Sequence, residues 1–124
     1  MSHDVVADAL NKIMNSKRSG KALLEIKSFS SLLISVLAIA KLKGYIKDYR
    51  IEDSILKIEI ANLHNCNAIK HRFTISVSDI EKYERRYLPA KEFGILIIST
   101  SKGLITNQTA KAKNLGGSLI AYMY

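Results

Sequence analysis

Gly94-Ile95-Leu96-Ile97-Ile98 is apolar at every position. A strand with one wet face alternates apolar and polar residues, so an unbroken run of this length is expected where both faces of a sheet are covered. The chain must therefore fold around this segment. The run stops abruptly in Ser99-Thr100-Ser101-Lys102-Gly103, followed by Leu104, Ile105 and Thr106. Three successive hydroxyls, a cation and a glycine can be read in two ways. One is a polar turn whose hydroxyls are satisfied by their own backbone. The other is a contact surface. Hydroxyls donate and accept, which suits phosphate oxygens, ribose hydroxyls and base edges. Lys102 would supply counter-charge and Gly103 would admit close approach of the backbone. Thr106 and the amides of a following helix N-terminus would add donors.

The rest of the chain alternates helical and strand periodicities. Val5, Val6, Ala9, Leu10, Ile13 and Met14 recur at three- and four-residue spacing, which predicts a helix from Asp4 to about Lys17, stopped by Gly20. Ala22 to Ile26 reads as a short strand. Ser30 or Ser31 caps a second helix that ends in Lys41, Lys43 and Gly44. Tyr45–Ile51 and Ile55–Ala61 form a hairpin around Asp53-Ser54, with Leu56, Ile58 and Ile60 facing inward. Residues 62–71 read as a polar loop. Phe73, Ile75 and Val77 alternate as a strand, and Ser78-Asp79-Ile80-Glu81 is a capping box that opens a helix to about Tyr87. Asn107 is expected to cap a helix to Asn114, Gly116-Gly117 to break it, and Ser118 to Tyr124 to form a last strand. The expected class is α+β: two small α/β lobes, 1–62 and 63–124, with mixed sheets. The first lobe reads helix-strand-helix-strand-strand, and the second, strands with short helices, carries the hydroxyl loop.

Charge narrows the partner. Nineteen Lys and Arg face eleven acids across 124 residues, a net +8, which points to a polyanion. Hydrophobic residues at 48% argue for a packed core and against disorder. The longest apolar run, Leu32 to Ala40 interrupted by Ser35, is shorter than the roughly 20 residues a membrane span needs. No strongly basic amphipathic helix favours an anionic membrane surface. MSHDVVADAL lacks the basic and apolar regions of a secretory signal. The single cysteine, Cys66, excludes an internal disulfide and fits a reducing, cytoplasmic setting. Basic residues lie among aromatics at Lys82, Tyr83, Arg85, Arg86, Tyr87 and Lys91, diluted by Glu81, Glu84 and Glu92. This is either a solvated helix face or a phosphate contact. From Lys102 onward the chain holds Lys102, Lys111 and Lys113 and no acid, and Lys17, Arg18 and Lys21 make a second patch.

Catalytic and cofactor motifs are poorly met. Ser99 and Lys102 match S-x-x-K, the alternative reading as a small serine hydrolase, but the companion S-D-N and K-T-G are absent and Gly103 opposes the helix that motif needs. Gly116-Gly117 lacks the lysine of a phosphate loop. His64, Cys66 and His71 lack the paired spacing of a metal site and read as loop residues, with His3 far away in sequence. Glu52-Asp53 fits turn chemistry. No cofactor, metal or small-molecule substrate is called for.

Taken in order, "VVADALNKIMN", "RRYLPAKEFGILIISTSKG", a threonine, a short basic helix, "LGG", a strand and an aromatic terminus resemble the family of ribosomal protein eight of the small subunit, in its archaeal and eukaryotic branch. The resemblance runs from Asp4 to Tyr124. It implies two α/β lobes and a structural, non-catalytic role. In that role the family binds the central domain of small-subunit ribosomal RNA during assembly, beside neighbouring ribosomal proteins. It also implies that Ser99, Thr100, Ser101 and Lys102, with Gly103 allowing approach, enter an RNA minor groove. Asn15, Lys17 and Arg18 are implied as further contacts, and Arg72-Phe73 matches an Arg-aromatic pair. Thr106, Lys111 and Lys113 extend the footprint. The chain departs from the family at Cys66-Asn67-Ala68, at His71, and at Asn107-Gln108-Thr109 with Lys111.

Overall fold

A computed structural model of the chain describes residues 4–69 and 74–124. The chain divides into two compact units between Cys66 and Asn67.

The first unit opens with α1 (Val5–Arg18). Asp4 caps it, its carboxylate accepting from the Ala7 amide at 3.1 Å, and Lys17 and Arg18 lie at its negative end. Gly20, at φ +79°, closes it, with Lys21 N donating to Ser16 O and Gly20 N to Lys17 O. Strand β1 (Leu23–Ile26) follows. Helix α2 (Ser31–Leu42) is capped by Ser30 and closed in the same way at Gly44. The hairpin of β2 (Ile46–Glu52) and β3 (Ile55–Ile60) turns on Asp53 and Ser54, both at positive φ, the backbone that suits two-residue hairpin loops. The sheet order is β1-β3-β2. Leu10, Ile13, Leu33, Leu37, Leu56 and Ile58 are among its fully buried side chains.

The second sheet comprises β4 (Cys66–Ala68), β5 (Thr74–Ile75), β6 (Ile95–Thr100), β7 (Gly103–Thr106) and β8 (Gly117–Met123). Its order is β4-β8-β6-β7, with β5 also paired to β8. A 3-10 turn (Val77–Asp79) leads into α3 (Ile80–Tyr87), and α4 (Asn107–Lys113) links β7 to β8. The apolar run behaves as its composition demands: Ile95, Leu96, Ile97 and Ile98 are each at most 3% exposed. Leu96 and Ile98 join Ile80, Leu88, Ala110 and Leu119 in one core cluster.

The α+β class holds, but the sheets are not mixed. Every pairing with a defined register is antiparallel. β1 and β2 do run the same way, since α2 carries the chain back between them, yet β3 inserts between the two strands and pairs with both. The capping box is not formed either: Ser76, not Ser78, organises the entry to α3, its hydroxyl lying 2.9 Å from Ser78 Oγ and donating to Asp79 Oδ2 at 3.0 Å. Nor does Asn107 cap α4. Thr106 does so, accepting from Thr109 N at 3.3 Å, and Asn114 ends the helix in the left-handed conformation. That leaves the Gly116-Gly117 pair with a different task. A Cβ on Gly116 would sit 2.6 Å from Ile75 O, and one on Gly117 would sit 2.2 Å from Ser99 O. Two strands cross here at a distance only glycine permits.

Gly117→Ala is accordingly expected to cost about 3 kcal/mol or more of unfolding free energy in urea titration, because the overlap is with backbone. Gly20→Ala, where nothing lies within 4 Å, costs about 1 kcal/mol of left-handed backbone strain. Cys66 is buried, donates to Leu10 O at 3.7 Å, and has its thiol pushed up to about 12 by desolvation, opposed by Arg18. Iodoacetamide at pH 8 should therefore alkylate the folded protein at least about a hundredfold more slowly than the urea-unfolded chain.

Candidate nucleic-acid interface

The hydroxyl stretch is the tip of the β6–β7 hairpin. Thr100 pairs with Gly103 and Ser99 with Leu104, leaving Ser101 and Lys102 as the two-residue turn. Gly103 at φ +107° supplies the backbone conformation that a side chain would resist. The three hydroxyls are not equivalent. Thr100 Oγ1 donates to Gly103 O at 2.8 Å and accepts from Lys102 N at 3.1 Å, so it closes the turn upon itself. The Ser99 and Ser101 hydroxyls make no hydrogen bond among the described residues. Ser101, Lys102 and Gly103 are exposed, and Ser99 is half-buried. Both readings of this stretch are therefore realised, by different residues.

The sheet register adds groups that spacing along the sequence does not reveal. Ser99 lies opposite Ser118 on β8, and Ser118 lies opposite Thr74 on β5. Directly opposed residues share a sheet face, so Ser99, Ser118 and Thr74 form a row of hydroxyls across three strands. The glycine pair is what lets β8 come this close.

Thr106 points the other way. It is 6% exposed, and its hydroxyl both caps α4 and donates to Thr109 Oγ1 at 3.3 Å. Asn107, which reads from the sequence as a cap, is 2% exposed. Its Oδ1 accepts from Leu96 N at 3.1 Å and its Nδ2 donates to Glu84 Oε2, tying β6 to α3 through α4. Glu84 also takes Lys111 Nζ at 2.5 Å, so Lys111 is engaged inside the protein. Lys113 is exposed at the end of α4. In the first unit, Asn15, Lys17 and Arg18 fall in the last turns of α1, with Asn15 and Arg18 exposed and Lys17 half-buried. Arg72 and Phe73, like His3 and His71, lie outside the described residues. Ser99 and Lys102 sit on a hairpin strand and its turn, not on successive turns of a helix as S-x-x-K would need.

Electrostatics separates the cations further. On the β2–β3 hairpin, Lys41 pairs with Asp48, Lys47 with Glu59, and Arg50 and Lys57 with Glu52, at 3.0–3.3 Å. Hydrogen bonds from Lys41 and the Tyr49 amide hold Asp48 below the usual carboxylate range, and Lys57 does the same for Glu52. These positive charges are locally balanced. The net +8 is carried elsewhere, including Lys102 and Lys113, beyond the last acid of the chain, Glu92.

Comparison with known proteins agrees with this geometry. The family model described as Ribosomal protein S8 matches residues 4–124. The small ribosomal subunit protein uS8 of Nanoarchaeum equitans is 50% identical over 129 residues, covering all of both chains. The small ribosomal subunit protein uS8 of Archaeoglobus fulgidus is 41% identical over 130 residues, again covering both completely. With a structural rather than catalytic arrangement at its hydroxyl loop and a match along nearly its whole length, the chain belongs to the ribosomal protein S8 family.

Proposed function

We propose that the chain is a structural constituent of the small ribosomal subunit in the cytoplasm, and that it binds the central domain of small-subunit ribosomal RNA and helps organise it during assembly. One observation carries the RNA contact: the β6–β7 tip presents two serine hydroxyls without internal partners, an exposed lysine between its strands, and a glycine that keeps the backbone accessible. A-form RNA displays 2′-hydroxyls in a wide, shallow minor groove, where small donor-acceptor side chains read shape better than long ones. Ser99 and Ser101 read that groove, Lys102 balances its phosphates, and Thr100 holds the turn that aims them. Ser118 and Thr74 widen the polar face beside Ser99. Asn15, Lys17 and Arg18 of α1, Lys113, and the Arg72-Phe73 pair are further contacts in this reading, and neighbouring small-subunit proteins are its other partners.

Each hydroxyl contact is worth about 0.5–1.5 kcal/mol net, so charge supplies most of the affinity and the hydroxyls supply discrimination. In a gel-shift series with a central-domain transcript, log K should fall steeply with log salt; a flat response sinks the proposal. Ser99→Ala with Ser101→Ala should weaken specific binding about tenfold while leaving non-specific binding and the melting temperature nearly unchanged. Thr100→Val should differ in kind, lowering stability as well as affinity, because its hydroxyl is spent on the turn.

A further inference from the structure

Helix α3 sorts its charges onto two flanks. On one, Arg85 Nη1 lies 3.5 Å from Glu81 Oε1, and Glu84 takes Lys111 and Asn107. That flank is neutralised internally. The other carries Lys82, Tyr83, Arg86 and Tyr87 and no carboxylate. Lys82 Nζ stands 5.6 Å from the centre of the Tyr83 ring, and Arg86 Cζ stands 5.4 Å from that of Tyr87. Behind Tyr87 the stack continues to Tyr122 at 5.3 Å and 24°, and from Tyr122 to Tyr124 at 6.3 Å and 14°. Lys82 and Arg86 are exposed, and neither has an ion-pair partner among the described residues.

We propose that this flank is a second RNA contact: an unpaired nucleobase stacks on the outer side of the Arg86 guanidinium, and Lys82, one helical turn away, takes the adjoining phosphate. The proposal rests on the RNA-binding reading above. A cation seated over a tyrosine with no acid beside it is held in place without being neutralised, so its charge stays available. A guanidinium presents a planar face as well as a charge, and bases splayed from single-stranded loops stack on arginine planes and aromatic rings. A duplex offers no such free base face, which selects an unpaired nucleotide. The cationic, acid-free character selects RNA over a protein neighbour. The site is also rigidly placed. Tyr122 pairs directly with Leu96 near the start of β6, while the hydroxyl tip begins at Thr100. Ile95 to Thr100 spans about 17 Å of extended strand, so both contacts can engage one structured RNA, the second made intramolecular by the first.

The test uses the full chain and the central-domain transcript, with binding measured over a salt series. Arg86→Lys keeps the charge and removes the plane; it should weaken binding about tenfold with the salt slope unchanged. Lys82→Gln with Arg86→Gln should weaken binding further and reduce the slope by about 1.4, roughly 0.7 for each phosphate lost on single-stranded RNA. All three changes are on exposed side chains, and thermal melts confirm that the fold is intact. Wild-type affinity in Arg86→Lys overturns the stacked base, and wild-type affinity in the double variant overturns the site. Unchanged RNA binding with failed incorporation into small subunits assigns the flank to a protein neighbour and also overturns it. The Ser99→Ala/Ser101→Ala variant separates the two readings: if it alone loses specific binding, the hairpin contact stands and the α3 contact falls. If the wild-type chain does not bind the transcript, the underlying reading fails.

Discussion

Four consecutive residues that cannot tolerate water, Ile95 to Ile98, impose most of what surrounds them. A strand buried on both faces must also have its backbone polar groups paired on both edges, since unpaired buried amides and carbonyls are costly. β7 provides one edge and β8 the other. Asn107 lends a further acceptor to Leu96 N, and it can do so from within the protein because Glu84 takes its amide. The strand leaves this covered region at Ser99, where exposure rises. A rigid support and an accessible tip are thus two ends of one segment, and the tip inherits its fixed direction from the burial behind it.

The sequence was most legible where one local rule acts alone. α1, α2 and the β2–β3 hairpin have strong periodicities and recognisable stop signals, and they appear within a residue or two of where those signals place them. Legibility failed where tertiary pairing decides. Cys66–Ala68 and Gly103–Thr106 are strands of three and four residues, too short to show alternation, and both look like loop in isolation. The antiparallel order could not be read from the succession β1-α2-β2, because it depends on β3 coming back between its predecessors. Gly116-Gly117 announces a break in any local reading. Its real constraint is set by carbonyls of Ile75 and Ser99, far away in sequence.

Much the same holds at the candidate interface. Clustering of hydroxyls in Ser99-Thr100-Ser101 was plain, but their division of labour was not: a threonine that closes a turn and a serine that faces outward have similar signatures. Hydroxyl position along the pleat decides, together with the one carbonyl in reach, Gly103 O. Ser118 and Thr74 gave no signal at all, since they become neighbours of Ser99 only through register. Thr106 and Lys111 looked like part of the footprint by proximity in sequence. Their partners, Thr109 and Glu84, turn both into supports for α4.

A +8 chain that simply maximised attraction to RNA would leave its cations unpaired everywhere. This one neutralises the β2–β3 hairpin and one flank of α3, which confines the unbalanced charge to particular faces. Uniform positive charge strengthens binding to any polyanion in proportion, and so adds affinity without selectivity. Restricting it makes orientation matter: the RNA gains counter-charge only when the chain approaches with those faces. At the hairpin tip the geometry then has small hydroxyls within reach, and these can reject a poorly shaped groove because an unmatched polar group in a dried contact is left unsatisfied. Charge brings the molecules together in few orientations, and short rigid donors on a buried strand judge the fit.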